Sequence, residues 1–142
     1  MFKTILLPVD LNQQGSWEQA LPAAIELAQN FKAQLHLVSI VPDVGMSIVS
    51  QYLPKDFEKK AVENAGAGLR EFASKNVPDG LKAKSHVAHG VVRHEIVKAA
   101  DKLGCDLIVM APHRPEVLDI LISPKTNYVV EHFKGSVLVV RH

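Results

Sequence analysis

Thr4 to Val9 is a short, nearly continuous apolar run closed by Asp10. A run without alternation is the pattern of a parallel strand buried on both faces, because a strand with one wet face alternates apolar and polar residues. Parallel neighbours need crossover connections long enough to hold a helix, so this feature directs the chain toward a sheet covered by helices on both sides. Asp10 then stands at the carboxyl end of the strand, where open α/β sheets bind their ligands.

The rest of the chain supplies the alternation. Ser16-Trp17-Glu18-Gln19 has the spacing of a capping box, and Ala20, Leu21, Ala24, Ile25, Leu27 and Ala28 form an apolar stripe, which predicts a helix to about Asn30. Pro22 falls beyond the first turn of such a helix and should kink it, at about 3 kcal/mol unless the helix starts late. Gln34 to Val41 reads as a second strand ended by Pro42, and Val44 to Leu53 as a mixed segment without an assigned role. Lys55 to Ser74 is helical, with Phe57, Ala61, Leu69 and Phe72 for burial. Gly66 and Gly68 weaken it by ~1 kcal/mol each. Pro78-Asp79-Gly80 signals a turn, Lys82 to His89 alternates as a third strand, and Gly90 breaks it. Arg93 to Leu103 is a helix with Ile96, Val97, Ala100 and Leu103 on one face and Gly104 at its C-cap. A fourth strand at Asp106 to Met110, a short helix at Asn127 to His132 and a last strand from Ser136 complete the pattern. The expected fold is α/β, a single-domain, doubly wound, five-stranded parallel sheet flanked by helices, spanning residues 1–142.

With 142 residues and 47% hydrophobic content, the chain fits one domain that buries roughly two thirds of its unfolded surface. Sixteen basic and 15 acidic residues give a formal charge of +1 without a run of like charges, so no nucleic-acid footprint is present. No apolar run approaches the ~18 residues of a membrane span, and Met1-Phe2-Lys3-Thr4 leads into a strand rather than a signal peptide. The expectation is a cytoplasmic protein. Cys105 is the single cysteine, which excludes an internal disulfide and a cysteine-rich zinc site. Its place between Gly104 and a buried strand is that of a small core residue.

The loop after Met110 holds the densest functional groups: Ala111-Pro112-His113-Arg114-Pro115, then Ser123-Pro124-Lys125-Thr126. Lys125-Thr126 has no glycine-rich turn before it, which excludes a P-loop. His89 stands where a phospho-accepting receiver domain needs an aspartate, which excludes that reading too. His86 and His89 lie three apart on a strand and point to opposite faces, so they cannot chelate one metal. His36, His94, His132 and His142 show no ligand spacing, and all of these histidines read as surface or capped groups, with no metal expected. His113 and Arg114 admit two readings. Either they face an anionic ligand in the crevice, which suits a guanidinium and an imidazole, or Pro112 and Pro115 merely stiffen an exposed loop. No catalytic triad and no pair of carboxylates is placed for acid–base work.

The opening Ile5-Leu6-Leu7-Pro8-Val9-Asp10, the strand His36 to Ile40, the run Gly104 to Met110, the His-Arg-Pro stretch and the closing Ser136 to Val140 resemble the universal stress protein family. The likeness covers nearly the whole chain and implies an adenine-nucleotide alpha hydrolase-like, Rossmann-like sheet. It implies a small stress-response protein holding ATP or AMP as a regulatory ligand without turnover. A nucleotide-free interaction protein acting through its dimer surface is the alternative, and a slow ATPase a third. On the family's pattern the ligand would meet Pro8, Val9 and Asp10, Ile40 beside the adenine, Met110 and Ala111, then His113, Arg114, Ser123, Pro124, Lys125 and Thr126. From the residues alone, Asp10 could equally cap the following loop. The family loop is Gly-x-x-Gly and later Gly-Ser or Gly-Thr, and the matching positions here are Ala111, Arg114, Ser123 and Pro124, so every loop glycine is replaced. Ser123-Pro124 has the form of an N-cap followed by proline at the first helical position, with the hydroxyl accepting from Lys125 or Thr126. Weak ATP binding is therefore expected, with AMP or a small anion held better. Ser136 to Val140 is an apolar, β-branched edge that invites pairing, and in the family the last strands of two subunits pair antiparallel, so a homodimer through Val137, Leu138, Val139, Val140 and Arg141 is expected.

Overall fold

In the computed structural model, which describes residues 1–43, 56–112 and 123–141, the opening apolar run becomes the central strand of the sheet. The described elements are β1 (Thr4–Pro8), α1 (Ala20–Phe31), β2 (Gln34–Pro42), α2 (Phe57–Asn76), β3 (Ala83–Gly90), α3 (Val92–Lys102), β4 (Leu107–Met110), α4 (Pro124–His132) and β5 (Ser136–Val139). Strand order is β3-β2-β1-β4-β5, and each described pairing is parallel. The mixed segment from Val44 to Leu53 lies outside the described residues.

The period of two along β1 sorts its side chains between two cores. Ile5, Leu7 and Val9 face α1 and α2, packing with Ala24, Ala28, Leu69 and Phe72. Leu6 faces α3 and α4, packing with Ile96, Ala100, Val129 and Phe133. Ile5, Leu6 and Leu7 are all fully buried, as a continuous apolar run requires. This is the doubly wound arrangement: all described strands run parallel, and the order in which they are added to the sheet reverses between β1 and β4. Among the described residues no helix is long and apolar enough to cross a membrane.

Two local expectations need correction. Ser16 does not cap α1: it closes a 3-10 turn at Gln14–Ser16, and the helix begins at Ala20 behind Gln19, which makes no side-chain cap bond. Its hydroxyl is engaged elsewhere, accepting from the Asp10 N–H at 3.0 Å and donating to the Asp10 carbonyl at 3.2 Å. The late start places Pro22 third in the helix, where its missing N–H falls among the first-turn groups that lack a helical partner, so no interior bond is lost. The short helix near the C-terminus starts at Pro124 rather than Asn127, with Ser123 as its N-cap, as the form of the Ser123-Pro124 pair predicts.

Gly68 is explained by close approach: a Cβ there would lie 3.0 Å from Leu11 Cδ1. Its helix cost secures tight packing of α2 against the loop after β1. Gly104 follows α3 with φ of 69°, the left-handed stop in which glycine pays no Cβ penalty. The Cys105 thiol packs beside the α3–α4 core, and burial, with a smaller contribution from Asp106, pushes its pKa up to about 11. A protonated, half-buried thiol of this kind is inert.

Candidate functional site

The carboxyl ends of β1 and β4 part where the winding reverses, and a cavity of about 590 Å³ opens there. Pro8, Val9 and Asp10 enter from β1, Ile40 from β2, Met110 and Ala111 from β4, and Lys125 from the first turn of α4. Seven of the residues singled out from sequence thus line one cavity. Ser123, Pro124 and Thr126 stand beside Lys125 but do not line it. His113 and Arg114 lie outside the described residues.

Asp10 shapes the loop that follows it. Its Oδ1 accepts from the Asn12 N–H at 3.0 Å, its carbonyl accepts from the Gln13 N–H at 3.0 Å, and its own N–H is held by Ser16. The acid therefore caps its loop, as one sequence reading has it, and also lines the cavity. Asp10 is the one carboxylate among the described lining residues.

Lys125 is half-buried, and desolvation lowers its pKa, partly offset by the charge of Asp10. An amine held in a partly dry wall gains more from a ligand anion than one in open water does. Around it the α4 terminus is already engaged. The Ser123 hydroxyl accepts from the Thr126 N–H at 3.2 Å and donates to Thr126 Oγ1 at 3.0 Å, while Thr126 is fully buried. The Asn127 N–H donates to the Ser123 carbonyl at 2.9 Å, and Pro124 has no N–H to offer. Of the two partners expected for the serine, Thr126 is the one it takes.

A model of the Universal stress protein family matches residues 1–141. The chain belongs to the universal stress protein family. It is 29% identical over 143 residues to Universal stress protein G of Escherichia coli O157:H7, covering 99% of this chain and 100% of that protein. The solved structure of universal stress protein UspA from Lactobacillus plantarum matches with a TM-score of 0.71 at 25% identity, covering 98% of this chain and 97% of the other. At 10% identity and a TM-score of 0.63, the fold also matches that of an Arabidopsis thaliana universal stress protein family protein solved with AMP bound, over 99% of this chain and 92% of the other.

Within this universal stress protein, sequence reasoning missed one wall of the cavity. Ala61, Asn64 and Ala65 of α2 line it, together with Ser39 and Val41 of β2 and Val92 and Ile96 of α3. Small residues at a helical spacing look the same whether they face a core or a cavity, so the pattern held no signal for them. The histidine reading also needs correction. His36 is buried, and its Nδ1 lies 2.8 Å from Nε2 of His86. Val38 pairs with His86 in the β2–β3 register, which places His36 and His86 diagonally on one face. His89 does point to the opposite face, where its Nε2 lies near Asp43 and Glu58.

Proposed function

We propose that this universal stress protein binds a small adenine nucleotide, AMP in preference to ATP, as a regulatory ligand without turnover. The observation that carries the reading is the cavity at the reversal between β1 and β4, with Asp10 on one side and half-buried Lys125 on the other. An acid can accept from ribose hydroxyls, and an amine can meet a single phosphate. The Ile40 and Met110 side chains supply apolar surface for a base. The AMP-bound fold neighbour supports the ligand class. Ser123 and Pro124 argue against a long phosphate chain, because Pro124 has no N–H to donate and the Thr126 N–H is taken by the Ser123 hydroxyl. The described lining holds a single carboxylate and no histidine, so those residues offer no acid–base pair for hydrolysis.

Mass spectrometry of the purified, denatured protein, followed by calorimetry with AMP and ATP, tests this. Co-purified AMP, or AMP binding tighter than ATP, is the expected result. ATP binding tighter than AMP, or binding of neither, overturns it.

A second reading is favoured by the edge strand β5, where Leu138 is 39% exposed and Val137 and Val139 are half-buried. On that reading the protein works as a homodimer through Val137 to Arg141, with or without a nucleotide. Sedimentation at micromolar concentration tests it: a monomer, or a dimer that survives Val139→Lys, removes it.

A further inference from the structure

At the far edge of the sheet, three elements bring metal-ligating side chains to one point. His89 sits near the end of β3, opposite Val41 of β2. Asp43 lies two residues beyond Val41, and its N–H donates to the Gly90 carbonyl at 3.0 Å, which fixes it beside the end of β3. Glu58 belongs to the first turn of α2, which packs over these strands. His89 Nε2 is 3.9 Å from Asp43 Oδ1 and 3.8 Å from Glu58 Oε1, and the three ligand atoms lie within 4.8 Å of one another.

These separations are too long for hydrogen bonds. His89 Nε2 is nevertheless enclosed and makes no hydrogen bond among the described residues, an expensive position for a ring nitrogen. Neither carboxylate has a lysine or arginine within ion-pairing distance among those residues. Two carboxylates and an enclosed ring nitrogen thus converge on one point.

We propose that Asp43, Glu58 and His89 form a binding site for a divalent first-row metal ion of the zinc type. Zinc lies about 2.0–2.2 Å from imidazole nitrogen and carboxylate oxygen, so ligand atoms around a tetrahedral ion stand roughly 3.5 Å apart. The two His89 distances exceed that value by a few tenths of an ångström, and the two carboxylate oxygens, within 4.8 Å of each other, close the rest by rotation of exposed side chains while the strand holds His89. One nitrogen and two oxygens form a borderline donor set. Magnesium and calcium prefer oxygen alone, and copper(I) prefers sulfur. Three protein ligands leave a fourth position for water or a bound molecule. Pro42, next to Asp43, and Ala61, one turn on from Glu58, both line the nucleotide cavity, so the ion would stand at its rim. The site stands independently of whether a nucleotide binds. It also explains why sequence spacing missed it, since each ligand comes from a different element.

The test uses the full chain, stripped with a chelator and titrated with zinc chloride by calorimetry, with cobalt(II) absorption as a second readout. We expect one zinc per chain, not displaced by magnesium in large excess, and a rise in melting temperature of about 8 °C at zinc a hundredfold above Kd. His89→Gln should weaken zinc by at least about tenfold and remove the cobalt bands. Glu58→Gln, at an exposed position that folding tolerates, should weaken it as well, while His86→Gln leaves it unchanged. No zinc uptake, zinc binding unchanged in both His89→Gln and Glu58→Gln, or loss in His86→Gln instead would overturn the assignment.

Discussion

The two walls of the cavity are built from similar polar groups that serve opposite ends. At the end of β1 the backbone has finished its sheet pairing, and Ser16 and Asn12 satisfy the turn, so the Asp10 carboxylate keeps acceptor capacity facing the cavity. At the start of α4 the helix takes its own first-turn donors: Ser123 occupies Thr126, and Pro124 removes one N–H altogether. A strand end leaves its polar groups to a ligand, whereas a well-capped helix start withdraws them. Lys125 is the exception on the second wall, because a long side chain escapes the cap and reaches the cavity.

The strongest way to break this contrast is to undo the cap. Ser123→Gly with Pro124→Ser restores a backbone N–H and frees the close approach that a phosphate needs. A hydrogen bond to a charged group is worth about 1.5–3 kcal/mol, so ATP should tighten by roughly ten- to a hundredfold, and the helix should lose about 1 kcal/mol of stability with its cap. Calorimetry and thermal melting read both. Unchanged ATP affinity would mean that the α4 terminus does not limit phosphate binding.

Next in size is Lys125→Met. It removes the charge that meets a phosphate and should weaken AMP by about tenfold, within the range for one charge-assisted contact partly open to water. Stability should hold or rise slightly, since a half-buried amine whose pKa is lowered by desolvation is not there for the fold. A drop in melting temperature with unchanged AMP affinity would make Lys125 structural. Asp10→Ala should weaken AMP only a few-fold. It should also cost about 1 kcal/mol, or roughly 3 °C in melting temperature, through the lost Asn12 bond. Loss of stability alone would leave Asp10 as a loop cap and nothing more.

What was legible in the sequence follows from the distance over which each feature is determined. The sheet was readable because burial on both faces writes a continuous apolar run into Ile5 to Leu7 and Leu107 to Met110. The Ser123 cap was readable because its partner is three residues away. Ser16 misled for the converse reason: a competing partner, the Asp10 backbone, took the hydroxyl from the helix. The His36–His86 contact was invisible because the pair is fifty residues apart and meets only through the β2–β3 register, which the packing of α2 helps fix. The α2 wall of the cavity was hidden because Ala61, Asn64 and Ala65 carry no chemistry that distinguishes them from a helix surface.

The smallest effect on the cavity should come from that histidine pair, which belongs to neither wall. With Nδ1 of His36 and Nε2 of His86 2.8 Å apart, one ring donates to the other only while the acceptor is neutral. Burial lowers the pKa of His36, His86 and Lys84 lower it further, and burial with Lys84 lowers that of His86. In the unfolded chain both titrate near about 6.5. Below that pH the unfolded chain binds more protons than the native one, so the pair's stabilisation is present above about 6.5 and is lost as pH falls toward the lowered native values. Melting temperature should therefore fall as pH drops from about 7.5 to about 5. In the double variant His36→Leu with His86→Leu the fall should be shallower, since the hydrogen-bonded pair is replaced by two apolar side chains and no buried nitrogen is left without a partner. AMP affinity at about pH 7.5 should be unchanged in the same variant, because neither ring lines the cavity. Parallel pH profiles for the two proteins would place the acid sensitivity elsewhere, and a change in AMP affinity would mean that the β2–β3 edge communicates with the walls.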